Sequence, residues 1–130
     1  MPASHSTALL TDMYELTMLD AAMKAGTAMR HTVFEVFGRR LPATRRFGVV
    51  AGTGRILEAL QCFEFSADQI DWLRAEQIVS EEALDFLADF RFTGTIDGYA
   101  EGECYFAGSP LMTVEGTFAE CTLLETLLLS

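Results

Sequence analysis

Positive charge is scarce in this sequence: nine Lys and Arg stand against nineteen Asp and Glu, a formal charge of −10 over 130 residues. Nucleic-acid binders hold phosphate backbones with clustered cations, so this balance argues against one. An acidic surface favours solubility and says little about fold. Histidine is almost absent, and His5 and His31 lack metal-ligand spacing; both read as solvated surface residues. There is no Walker motif and no G-x-S-x-G element, so no complete catalytic constellation is visible. The three cysteines, Cys62, Cys104 and Cys121, have no metal-type spacing and cannot all pair, which points to a reduced, intracellular compartment. The amino terminus lacks a charged start followed by an apolar run, which argues against a secretory signal. The longest apolar run, Leu123 to Leu129, is too short for a bilayer and contains Glu125. Low-complexity stretches and fixed-period repeats are also lacking. A soluble, cytoplasmic protein without nucleic-acid or membrane partners is expected.

Half of the residues are hydrophobic, enough for one domain with a real core. Residues 1–8 have no pattern and read as a loose tail. From Thr11 the spacing turns helical: Tyr14, Met18 and Ala22 form one strip, and Leu16, Leu19 and Met23 an adjoining one. Asp12 followed by Glu15 gives a box-like start, and Gly26 a stop. Thr32 to Phe37 alternates as a strand, and Phe47 to Ala51 is a second, shorter one. Gly52-Thr53-Gly54 then opens a helix carrying Ile56, Leu57 and Leu60. Ser66, with Gln69 as capping partner, begins a third helix that buries Ile70 and Leu73. Ser80 begins a fourth, with Leu84, Leu87 and Ala88 on its inner face. Three strand-like pieces follow Gly94: Thr95 to Tyr99, Glu103 to Phe106 and Leu111 to Glu115. Gly98, Gly102, Gly108 and Gly116 punctuate them as turns or bulges.

The last segment, Ala119 to Ser130, is expected as a helix with Leu123, Leu124, Leu127 and Leu128 on one apolar face. It has no C-cap glycine, terminal cation or breaker, so the chain reads as unfinished. Strands and helices are partly segregated, which predicts an α+β fold with a largely antiparallel sheet.

Two places carry chemistry worth weighing. In Leu10-Thr11-Asp12-Met13-Tyr14-Glu15-Leu16-Thr17-Met18, spacing alone favours a capped amphipathic helix with Tyr14 on the core side. The functional reading puts Asp12 and Tyr14 on an exposed helix start, where a carboxylate and an aromatic plate could hold a flat heterocycle. After Phe37, Arg39, Arg40, Arg45 and Arg46 crowd eight positions around Pro42. They fit a solvated loop equally with a grip on phosphate or pyrophosphate, whose oxygens match guanidinium forks. Gly52-Thr53-Gly54 joins a strand to a helix N-terminus, but three residues favour a tight turn over a phosphate loop.

The Leu10–Met18 block resembles the opening signature of the nicotinate phosphoribosyltransferase family. Phe34-Glu35-Val36-Phe37-Gly38-Arg39-Arg40-Leu41-Pro42 and Phe47-Gly48-Val49-Val50-Ala51-Gly52 are similar to its next blocks. Gly98 to Glu103, Pro110, Val114-Glu115-Gly116 and Leu124-Glu125-Thr126 follow in the same order, so the resemblance covers about residues 9 to 130. Ser109-Pro110 stands where many members have Glu-Pro. The resemblance implies an enzyme that joins nicotinate to 5-phosphoribosyl-1-pyrophosphate, giving nicotinate mononucleotide and pyrophosphate in NAD salvage. It implies ATP hydrolysis coupled through a phosphohistidine, with ATP and Mg2+ as cofactors bound by no residue identifiable here. It also implies an N-terminal α/β sandwich over residues 9–118, with residues 119–130 starting a helix toward an irregular α/β barrel. The homodimer it implies shares its active site between subunits. Tyr14 would stack on the pyridine ring, Asp12 would sit beside it, and Arg39 would reach phosphate or pyrophosphate. The barrel, the phosphate loops and the phosphohistidine would lie beyond residue 130, and neither His5 nor His31 matches that histidine. A fragment that does not turn over by itself is the expectation. The alternative is a catalytically inactive, truncated α+β module that binds a ligand or partner.

Overall fold

In the computed structural model, which describes residues 6–130, the last helix forms the centre of the molecule. After a short 3-10 turn (Ala8–Leu10), the helices are α1 (Met13–Lys24), α2 (Thr53–Gln61), α3 (Ala67–Ala75), α4 (Glu81–Ala88) and α5 (Phe118–Leu129). The strands are β1 (His31–Phe37), β2 (Gly48–Val49), β3 (Thr95–Gly98), β4 (Cys104–Tyr105) and β5 (Pro110–Thr117). The order of helices and strands is the one the periodicities predict. All pairing is antiparallel, in a three-stranded sheet β1-β5-β3 and a separate ribbon β2-β4.

Alternation in the strands decides which face of the sheet is covered. Phe34 pairs with Val114 and Val114 with Ile96, while Val36 pairs with Met112. These residues face inward, whereas Val33 and Phe37, on the alternate positions, are exposed. Helix α5 lies on the inner face, α1 packs on α5, α4 on α1, and α3 on α4. Every residue from Ala119 to Leu124 is buried, including Glu120 and Thr122. A helix apolar on nearly all sides is stable only inside, and this one has sheet on one side and helix on the other. Residues 119–124 are therefore at the packing centre of the domain. Each fully buried leucine there contributes about 1.5–3 kcal/mol.

Its start also differs from expectation. Thr117 caps α5 with its hydroxyl on the Glu120 N–H, and the Glu120 carboxylate accepts from the Thr117 N–H in return. The helix thus begins at Phe118, behind a capping box. The box predicted at Ser66 and Gln69 is present on α3. The one expected at Asp12 and Glu15 is not: Asp12 occupies the N-cap position without a side-chain cap bond. Glu15 is buried against α5, where its Oε1 accepts from the Thr126 N–H at 3.0 Å and from the Thr126 hydroxyl at 2.7 Å. A tertiary partner has won over the local one.

Three further expectations change. Tyr14 and Met18, placed on a core strip by spacing, are partly exposed, and Leu16, Leu19 and Ala22 form the buried strip. Helix α4 turns Ala83 inward in place of Ala88, which is exposed. The tail reading at residues 1–5 lies outside the described residues. Ser6, however, donates to the Glu64 carbonyl and accepts from the Glu64 N–H, and Ala8 is fully buried against the core. Residues 6–8 are tied down because apolar contact and a two-way hydrogen bond fix them.

Burial holds the Glu15 carboxyl above its ordinary pKa of 4.5, although the Thr126 hydrogen bonds oppose the shift. A raised folded-state pKa means that the folded chain retains a proton the unfolded chain releases. Stability therefore falls as pH rises from about 4.5 through the folded pKa. Glu15→Gln should flatten this limb of the melting-temperature profile; an unaltered slope in thermal melts from pH 4.5 to 7 would contradict the account.

Candidate functional site

Helix α1 and the second half of α5 meet through successive residues on each. Tyr14 donates its phenolic hydrogen to Glu125 Oε1 at 2.7 Å, and the next residue, Glu15, holds Thr126. Tyr14 is 44% exposed while its hydroxyl is anchored. The hydrogen bond to Glu125 pushes the Tyr14 pKa up to about 12, helped by partial desolvation and by the nearby carboxylates of Glu125, Glu15 and Asp12. The phenol stays neutral at physiological pH and acts as a donor. Asp12 is exposed at the start of the same helix, and its side chain is free of capping duty. A carboxylate and an anchored aromatic residue thus share one exposed helix start.

Glu125, which holds Tyr14, also lines an open cavity of about 350 Å3 with Phe34, Glu35, Val36, Leu128 and Leu129. A second, of about 500 Å3, meets it at Val36 and Leu128 and extends to Gly52, Ile56 and Leu111. Apolar walls with a few polar groups at the rim suit an organic ligand or an apolar side chain.

Arg39, Arg40, Arg45 and Arg46 are exposed in the loop between β1 and β2. Among the described residues, none of them forms an ion pair, although carboxylates outnumber cations across the chain. No hydrogen bond or ion pair between described residues joins Arg39 to Asp12 or Tyr14. The structure brings Tyr14 to Glu125 and leaves the arginine loop as a separate element.

The other sequence candidates have structural roles. Gly52 caps α2 with φ of 107°, a conformation glycine adopts without strain. The N–H groups of Gly52 and Gly54 both donate to the Glu101 carboxylate, at 3.0–3.1 Å. The chain's own anion thus sits on this helix N-terminus. His31 pairs with Glu115 at 2.7 Å on the exposed face of the sheet, a surface position as expected, and His5 lies outside the described residues. Cys104 is exposed and Cys121 buried, and neither is in a disulfide. Burial, with some help from Glu120, pushes the Cys121 thiol up to about 11, so it is inert. Among the described residues no cluster of His, Cys, Asp and Glu could hold a metal ion, and no helix is long and apolar enough to cross a membrane.

Sequence reasoning left Glu125 and Thr126 without a role. One signal was available: a Glu-Thr pair interrupts an otherwise apolar leucine run. Polar groups inside an apolar helix need a partner, and α1 supplies it.

A family model described as the nicotinate phosphoribosyltransferase N-terminal domain matches residues 9–130. The nicotinate phosphoribosyltransferase pncB1 of Mycobacterium tuberculosis is 62% identical over 122 residues, 94% of this chain and 27% of that protein. The nicotinate phosphoribosyltransferase of Bacillus subtilis is 34% identical over 125 residues, 96% of this chain and 26% of that protein. A crystal structure of human nicotinic acid phosphoribosyltransferase superposes with a TM-score of 0.83 at 30% identity, covering 92% of this chain and 24% of that one. The chain spans about a quarter of the length of the relatives it matches.

Proposed function

Since the chain belongs to the nicotinate phosphoribosyltransferase family, as its N-terminal domain, we propose that it supplies substrate-holding groups to an enzyme of NAD salvage. That enzyme joins nicotinate to 5-phosphoribosyl-1-pyrophosphate, releasing pyrophosphate and forming nicotinate mononucleotide. The observation that carries the reading is the half-exposed Tyr14 ring, anchored by its hydroxyl beside the uncommitted Asp12 carboxylate. Tyr14 stacks on the pyridine ring, and Asp12 makes a polar contact at its edge. Arg39, unpaired among the described residues, grips the phosphate or pyrophosphate of the donor. These are positioning and electrostatic roles, which count when a glycosidic bond breaks with charge building on ribose and pyrophosphate.

The working form in this reading is a cytoplasmic homodimer in which this domain helps to complete the neighbouring subunit's active site. ATP hydrolysis accompanies the reaction in the family, but neither ATP nor Mg2+ is assigned to a residue of this chain. The 130-residue chain alone should not turn over.

The test uses a chimera in which this domain replaces the matching region of the 62% identical M. tuberculosis relative. Loss of stacking should make Tyr14→Ala raise the KM for nicotinate roughly fivefold or more. Arg39→Ala should raise the KM for 5-phosphoribosyl-1-pyrophosphate roughly tenfold, with little change for nicotinate. Unchanged kinetics in Tyr14→Ala would remove the assigned role. Equal effects of Arg39→Ala on both substrates would remove its assignment to the donor.

A further inference from the structure

Resting on the reading of Tyr14 as the stacking residue, we infer that Glu125 is its positioning residue, fixing the ring from the far end of α5. Adjacent side chains on a helix point about 100° apart, so one packing contact cannot hold both Tyr14 and Glu15. Here each has its own partner on α5, and the partners are themselves adjacent. Glu15 closes on the Thr126 N–H and hydroxyl, which fixes the rotation and height of α1. Tyr14 then reaches Glu125 at 2.7 Å, which fixes the ring itself.

The division of labour follows from burial. Glu15 is fully buried and belongs to the core contact, whereas Tyr14 is 44% exposed, and its one side-chain hydrogen bond is the one to Glu125. Without Glu125 the ring would sample several rotamers and would have to be ordered each time a ligand bound. With it, the stacking face is set beforehand. Glu125 is half-buried at the rim of the cavity formed by Phe34, Val36 and Leu128, beside the ring it holds.

The experiment uses the same chimera, with Glu125→Ala, Glu125→Gln, Tyr14→Phe, Tyr14→Ala and the Tyr14→Phe/Glu125→Ala double variant. Glu125→Ala and Tyr14→Phe each delete the same hydrogen bond from opposite ends. Each should raise the KM for nicotinate roughly three- to tenfold, and the double variant should be no worse than either. The kcat should change little, because the loss falls on binding. Glu125→Gln keeps a carbonyl oxygen for the phenol and should restore most of the affinity, which a purely structural role would not require. If Tyr14→Ala raises KM while Tyr14→Phe and Glu125→Ala leave it unaltered, the positioning role is overturned and the stacking role survives. If Tyr14→Ala has no effect either, the stacking role fails and takes this inference with it.

Discussion

Glu120→Ala should lower the stability of the folded chain by about 3–5 kcal/mol, among the largest effects of any single polar substitution here. The carboxylate is buried at the start of α5 and accepts four hydrogen bonds. Oε1 takes the N–H and hydroxyl of Thr93, and Oε2 takes the N–H and hydroxyl of Thr117. One side chain thus caps the central helix and ties it to the segment leading into β3. Truncation leaves both backbone donors without their partner, and an unmade buried hydrogen bond costs more than a made one contributes. Burial alone would raise the pKa of Glu120, but the donors from Thr117 and Thr93 outweigh it and hold the group below its ordinary 4.5. The sign is opposite to that of Glu15. Glu120 stabilises the fold above the unfolded-state pKa, and that contribution is lost as pH falls through the lower folded value. Chemical denaturation of wild type and Glu120→Gln should differ most near neutrality and converge in acid; a constant difference across that range would refute the assignment.

Gly94→Ala should be nearly as damaging, for a steric reason. A Cβ at this position would lie 2.1 Å from the Glu115 carbonyl oxygen, and 2.7 and 2.9 Å from atoms of the Phe92 ring. Glu115 belongs to the middle strand and pairs with Thr95, the residue after Gly94. Relief requires moving β3 away from β5, because a backbone oxygen in a paired strand has nowhere to go. Overpacking of this kind costs about 3 kcal/mol. Gly48 provides the control. Its Cβ would approach the Tyr105 ring at 2.4 Å, but a side chain in the two-stranded ribbon can swing aside. Denaturant midpoints should therefore place Gly94→Ala well below Gly48→Ala, and the reverse order would show that the sheet edge yields more easily than the ribbon.

The Glu15 carboxylate explains why part of the candidate site was hidden in the sequence. Glu15 stands three residues after Asp12, which is the spacing of a capping box, and local rules assign it there. In the fold it serves Thr126, more than a hundred residues away. Nothing in the spacing of α1 announces that partner. The same long-range contact brings Tyr14 out of the core strip, because once Leu16, Leu19 and Ala22 face inward and Glu15 is claimed by α5, the ring is left at the edge. Arg39 was legible as a cation in an arginine-rich loop, and its lack of an ion pair among the described residues is a fact of the tertiary structure.

The order and type of the elements, the capping box at Ser66, the antiparallel character of the sheet and the family are all readable from the residues in order. Each of these follows from local periodicity, from turn chemistry, or from blocks of residues that can be compared directly. That the leucine-rich last helix is the centre of the domain, that Glu120 anchors it and that Glu125 holds Tyr14 emerges from the fold alone. The reason is physical. A helix apolar on most sides specifies that it must be buried but not by what, and the free energy of a buried carboxylate depends on donors that come from elsewhere in the chain.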